Sequence, residues 1–201
     1  MPVRYRSRTV KKETLQTVSL LTPHVEPGAS VLDIGCGEGY VLDELAARGI
    51  ANVEGVDIVD IRRNKDYPFR LYDGETLPFP DRSFDLVVLS FVLHHVPNER
   101  KLALLEEALR VSRAKVVVIE DTPSTAFDRL MNHRHGESYR RKIGSRASFG
   151  FLTEGEWRWL FRGMGLEPEA RPLSRFCRSI LQPFARTLFV LRKSRALATP
   201  V

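Results

Sequence analysis

Val31-Leu-Asp-Ile-Gly-Cys-Gly-Glu-Gly39 is the stretch that decides the fold. Its apolar start reads as a short buried strand, and glycines at alternate positions make a tight turn out of it. From Gly39 the pattern is helical to Arg48, and Gly49 closes that helix. A strand, glycine loop and helix in this order let a ligand approach bare backbone. Dinucleotide enzymes use the same device, but their G-x-G-x-x-G/A pattern needs a small residue at its sixth place. Counted from Gly35 that place holds Tyr40, and counted from Gly37 it holds Leu42. Asp33, two residues before the first glycine, has no task in such a site. An NAD-dependent oxidoreductase is disfavoured.

Outward from the loop, strands and helices alternate. Val10, Leu15, Val18 and Leu21 recur at helical spacing, giving a helix over residues 9–22 that ends before Pro23. Residues 30–34, 52–57, 69–73, 83–90 and 115–120 read as strands, and Asn98 reads as the cap of a helix running through Val111. Continuous Val/Ile/Leu strands separated by helices call for a parallel sheet covered on both faces, an α/β fold. Farther on, Thr153-Glu-Gly-Glu156 has capping-box spacing ahead of the stripe Trp157, Leu160, Phe161 and Met164. Strands near 166–171 and 187–191 complete the sheet. Residues 122–150 are less regular and rich in His and Arg, placed to cover the strand ends.

The motifs continue in order. Asp33, Gly35, Gly37 and Gly39 make a D-x-G-x-G-x-G pattern, Asp57 ends the second strand, and Asp73-Gly74 follows the third. With the stretch LPFPDRSFDLVVLSFVLHHV (77–96), the chain resembles the class I S-adenosylmethionine-dependent methyltransferases. Within them it looks like the group that includes quinone-biosynthesis C-methyltransferases. Glu107–Glu120 resembles that group's fifth-strand region, with Ser112-Arg113-Ala114 replacing the usual Pro-Gly-Gly turn. The resemblance covers residues 25–122 closely and 150–170 loosely.

This resemblance implies a Rossmann-like, doubly wound, mostly parallel seven-stranded sheet with helices on both faces. An N-terminal helix and a cover segment after strand five accompany it. The implied cofactor is S-adenosyl-L-methionine, leaving as S-adenosyl-L-homocysteine. Asp33, Gly35, Cys36, Gly37 and Gly39 would admit its amino-acid and ribose portions. Asp57, with Ile58 beside it, would accept from the ribose hydroxyls, and Asp73 from the adenine amino group beside the Gly74 backbone. Ser90 would offer a main-chain carbonyl to the ammonium.

In-line methyl transfer asks mostly for alignment, worth about 7–11 kcal/mol in well-oriented systems. A base is needed only if the acceptor sheds a proton during attack. Catalytic candidates past the strand ends are His95, His94 and Glu120, with Asp121 beside it. Tyr5 and Tyr40 are aromatic candidates to face the sulfonium, with packing as the plainer role. His133 and His135 form a His-x-His pair without a carboxylate or cysteine cluster, so no metal is expected.

The 201 residues fit a single domain: N-terminal helix (1–24), cofactor-binding core (25–122), cover (122–150), and last helix and strands (151–195). Cys36 and Cys177 make neither a disulfide framework nor a zinc spacing, and the apolar run 86–93 falls short of the ~20 residues that span a bilayer. No apolar segment behind the basic N-terminus suggests secretion, so a cytoplasmic monomer or homodimer is expected. Residues 1–122 carry 16 Lys/Arg against 19 Asp/Glu, whereas residues 123–201 carry 15 against 6. That asymmetry points to a negatively charged partner near the C-terminal half, here a small acidic or amphipathic methyl acceptor. A nucleic-acid methyltransferase is one alternative, opposed by the lack of an appended RNA-binding module or an Asn/Asp-Pro-Pro-Tyr motif. A cofactor-binding protein without turnover is the other.

Overall fold

The computed structural model describes residues 3–143, 150–173 and 185–192. Helix α1 (Arg8–Leu21) precedes strand β1 (Val31–Ile34), the glycine loop and helix α2 (Tyr40–Ala47). Strands β2 (Val53–Asp57), β3 (Phe69–Leu71) and β4 (Phe84–Ser90) follow, then helix α3 (Lys101–Val111) and strand β5 (Ser112–Asp121). Helices α4 (Ala126–Ile143) and α5 (Glu154–Gly163) lead to strands β6 (Glu169–Pro172) and β7 (Arg186–Arg192). The expected seven-stranded sheet is present, in the order β3-β2-β1-β4-β5-β7-β6. β7 alone runs against the others, pairing antiparallel with β5 and β6.

Side-chain alternation sorts the core into two layers. Leu32, Ile34, Val87, Leu89, Val116, Val118, Phe189 and Leu191 face α3 and α5, joining Leu105, Ala108, Trp157 and Phe161. Val31, Leu86, Val88, Val117, Ile119, Leu188 and Val190 face α1 and α2, joining Val18, Leu21, Leu42 and Leu45. Because successive strand residues point to opposite faces, these runs must be apolar throughout.

Four local readings need correction. β3 stops at Leu71 and not at 73, because Asp73 Oδ1 accepts from the Glu75 and Thr76 amides (2.8 and 3.2 Å) and turns the chain. Ser112-Arg113-Ala114 is strand, not turn, its register shifted against β4 between Phe84 and Leu86. Asn98 opens a 3₁₀ turn (Asn98–Arg100) ahead of α3, and its side-chain oxygen accepts from Lys101 Nζ (2.8 Å) instead of capping. The stretch read as irregular contains α4. Thr125 and Asp128 start it: Thr125 Oγ1 accepts from the Asp128 amide (3.0 Å) and Asp128 Oδ2 accepts from the Thr125 amide (3.1 Å).

On α5, Phe161 is fully buried while Trp159 is 79% exposed. Phe161→Ala should cost about 3–5 kcal/mol in urea denaturation, and Trp159→Ala no more than about 0.5 kcal/mol.

Candidate active site

The glycine loop sits where β1 ends, and its three glycines do different work. A Cβ on Gly35 would lie 2.6 Å from Val92 Cγ2, and one on Gly39 only 1.8 Å from Tyr67 Oη, so both are needed for close packing. Gly37 has φ 54° and a Cβ there would meet nothing within 4 Å, leaving its backbone facing open space. The Gly37 amide donates to Asp57 Oδ2 (2.8 Å), tying the loop to the end of β2. Asp57 Oδ1 accepts from the Ile58 amide (2.7 Å). Ile58 is 60% exposed, and its Cγ2 comes within 3.4 Å of the Cβ position of Gly74. Ile58 and Gly74 therefore stand in contact, side by side next to Asp57. Asp73, exposed after β3, is held below the usual carboxylate range by the backbone amides of Glu75 and Thr76.

A cavity of about 440 Å³ brings Asp33, Gly35, Cys36, Gly39, Ser90 and His95 together, within the size range of small-molecule sites. Phe91 and Tyr40 also line it, and α1 closes it with Glu13, Thr14 and Thr17. Asp33 is 2% exposed; burial first, and the Asp57 charge second, push its carboxyl up to about 8. Past Ser90 the chain swings off β4 at Phe91, which adopts φ 58° and donates its amide to Ile119 O (2.8 Å). A single 3₁₀ turn (Leu93–His95) follows and delivers His95 to the cavity.

His94 and Glu120 are not among the residues that line this cavity. Both are buried, with His94 Nδ1 2.7 Å from Glu120 Oε2, while Glu120 Oε1 accepts from the Leu93 amide (2.6 Å). Burial opposes the charged form of His94, but the Glu120 carboxylate outweighs it, and the imidazole is raised above its ordinary value. Lys101, 2% exposed, donates to Val96 O (2.7 Å), and burial pushes its ammonium down to about 8. On the other face of the sheet, Asp121 Oδ1 accepts from Arg186 Nε (2.7 Å). The Arg186 guanidinium lies 4.4 Å from the Phe91 ring centre and 2.9 Å from Glu13 of α1. Burial pushes the Asp121 carboxyl up against the pull of Arg186.

Tyr40 reaches the cavity, while Tyr5 stacks on it (5.2 Å between ring centres) and donates its hydroxyl to Glu44. A second cavity, about 550 Å³, lies beyond the end of β5 between the starts of α4, α5 and β7, and Arg129 and Arg186 line it. His133 and Arg134 are exposed on α4. The side chains of His135, Arg140, Arg141 and Lys142 lie outside the described residues, as do Phe149 and Cys177. Reading the sequence missed Glu13, Lys101 and Arg186 as parts of this region. For Arg186 the available signal was one cationic residue opening an otherwise apolar strand.

Asp33 carries a pH signature. Its carboxyl is raised in the folded state from 3.8 to about 8, so the native protein holds a proton that the unfolded chain has shed across that interval. Stability from this group is full below the lower value and is lost as pH rises through the upper one. Asp33→Asn should therefore leave the melting temperature unchanged at pH 4 and raise the stability of the ligand-free protein by about 1–3 kcal/mol at pH 8.

A family model described as "Methyltransferase domain" matches residues 4–170. The demethylmenaquinone methyltransferase of Mycobacterium sp. (strain JLS) is 38% identical over 106 residues, covering 50% of this chain and 45% of the relative. A probable tRNA methyltransferase 9B of Mus musculus is 34% identical over 91 residues, 43% of this chain and 20% of the relative. The chain spans less than half the length of either. Among solved structures, the complex of the Haloferax volcanii Trm112 methyltransferase activator with a putative methyltransferase contains a chain of like fold. The TM-score is 0.71 at 19% identity, covering 92% of this chain and 90% of that one. Gly37, Asp57, Ile58, Asp73 and Gly74 do not line the first cavity, but with the family model spanning most of its length, this chain belongs to the methyltransferase-domain family.

Proposed function

We propose that this protein binds S-adenosylmethionine across the ends of β1, β2 and β4 and transfers its methyl group, in line, to a small acidic or amphipathic acceptor. The observation that carries this reading is the cavity in which buried Asp33 and the glycine loop face Phe91 and His95. The residues fit the cofactor. Bare backbone at Gly37 leaves room for the ribose, and Asp57 Oδ2, with one bond made, has a further lone pair for a ribose hydroxyl. The exposed Ile58 side chain and the Gly74 backbone beside it offer a surface for a flat adenine, with Asp73 next to them. Asp33, buried among neighbours that disfavour its charge, suits a cation, and the Ser90 carbonyl suits an ammonium. When bound, the sulfonium supplies an activated methyl with a leaving group of its own.

What remains for the chain is placement. α1 walls one side of the cavity with Glu13, Thr14 and Thr17. His95 accepts a proton, or a hydrogen bond, from an acceptor that must lose one. Arg129, on the second cavity, and Arg134 sit on α4 beside exposed Phe127 and Leu130, a combination that matches an anionic, partly apolar acceptor. A nucleic-acid acceptor is the second reading, favoured by the basic half of the chain and by the mouse relative's name.

Titration calorimetry should give low-micromolar affinity for S-adenosylmethionine and S-adenosylhomocysteine, roughly −7 to −8 kcal/mol. Tight binding of NAD with no heat from either ligand overturns the assignment. Asp57→Ala should weaken cofactor binding by about 1.5–3 kcal/mol with the circular dichroism spectrum retained. Incubation with labelled donor and either a metabolite extract or bulk tRNA, read by mass spectrometry, separates the two acceptor classes. With the small acceptor in hand, Arg129→Ala and Arg134→Ala should raise KM or lower kcat and leave cofactor affinity untouched. Wild-type kinetics in both variants remove the acidic-acceptor reading.

A further inference from the structure

We propose that Glu120 is a positioning residue that fixes the turn carrying His95, resting on the reading of His95 as the group nearest the acceptor. The last β4–β5 pair joins Ser90 to Ile119 and the Phe91 amide makes the last bond of that ladder, to Ile119 O (2.8 Å), so the turn at Leu93–His95 lies beyond it. Phe91 takes a left-handed conformation (φ 58°) that L side chains avoid, which other contacts must hold in place. Glu120, one residue beyond the last pair, bridges the gap: one carboxylate oxygen receives the Leu93 amide at 2.6 Å, and the other lies 2.7 Å from His94 Nδ1. Both contacts fall on the two residues just before His95.

The neighbourhood fits positioning better than chemistry. Glu120 is 1% exposed and His94 5%, so neither presents an atom to a ligand. His94 is stacked on Phe151 (4.7 Å) and packed against the His95 ring (4.0 Å), so the orientation of one ring constrains the other. A buried carboxylate is expensive, and an apolar residue would fill the space at less cost if packing were the whole task. The charged groups around the pair are Asp121 on β5 and Lys101 on α3. Lys101 holds the far end of the turn, donating to Val96 O (2.7 Å), which leaves Glu120 to hold its start at Leu93 and His94.

The test needs no acceptor. In protein carrying 13C-labelled histidine, the His95 imidazole signal is assigned by its loss in His95→Gln. Glu120→Ala should broaden or double that signal. Affinity for S-adenosylhomocysteine should fall by less than about tenfold, because Glu120 does not line the cavity, although Val92 of the same turn packs against Gly35. Glu120→Gln, which keeps one acceptor for the Leu93 amide and a polar contact to His94, should restore a single sharp line. A wild-type His95 line in Glu120→Ala overturns the proposal, and so does a Glu120→Gln spectrum as disturbed as that of the alanine variant. If Glu120→Ala does not fold, His94→Phe removes the second contact while keeping the stack on Phe151. A broadened or doubled His95 line there supports the proposal, and a single sharp one overturns it. Loss of S-adenosylhomocysteine binding in the wild-type protein sinks the cofactor reading instead, and the two failures are read from different measurements.

Discussion

β1 has a parallel neighbour on each side, Val31 standing beside both Val53 of β2 and Leu86 of β4. Connections from the middle of the sheet therefore depart in opposite directions, and a cleft is left above the carboxyl ends of β1 and β4. The rest of the molecule answers to that reversal. The loop leaving β1 must fold back inside the cleft, which is possible only with minimal side chains at its turning points and at its neighbour. A Cβ on Gly55 of β2 would lie 2.8 Å from Cys36 Sγ and 2.9 Å from Leu42 Cδ1. Even the middle of β2 is thus shaped by the turn.

At the rim of the cleft the strands end in acids: Asp33 just before the end of β1, Asp57 on β2, and Glu120 with Asp121 on β5. Three of them are bonded to donors that fix a neighbouring segment. Glu120 and Asp121 are adjacent in sequence and therefore point to opposite faces of the sheet. One braces the turn after β4, and the other holds the arginine that meets Phe91 and α1. Asp33 differs, being buried on the cavity between its own desolvation and the charge of Asp57. A polar side chain in that setting is poorly stabilised until something positive arrives, in keeping with the proposed cationic ligand.

Much of this was legible in the sequence because the signals were local. Strands buried on both faces cannot hide their apolar runs, and Gly35, Gly37 and Gly39 announce a turn whose backbone geometry admits little else. Helix α4 was harder to see: Asp128 and Asn132 are buried while Phe127 and Leu130 are exposed, so no apolar stripe toward the core marks the period. Its start was written in Thr125 and Asp128, a cue that periodicity does not detect. Long-range pairs were out of reach in principle. Lys101 opens a helix as surface lysines do, and only its burial shows otherwise. That His94 meets Glu120 and Arg186 meets Asp121 depends on register between strands separated by dozens of residues. His94 and Glu120 read as catalytic candidates past the strand ends, but the sequence could not say that they meet each other and do not line the cavity.

The sheet's margins have a consequence for how the chain behaves in a crowded solution. An open sheet ends in unpaired amides and carbonyls, a template on which other extended chains can add. One margin here is β3, only three residues long. The other is β6, where Pro172 has no amide to offer, and Glu169 and Arg171 place charge along the strand. A stray strand would find a short ladder on one side and a charged, interrupted one on the other. The apolar strands between them, which would be the most adhesive segments of the chain if exposed, are shielded from indiscriminate aggregation by their own neighbours.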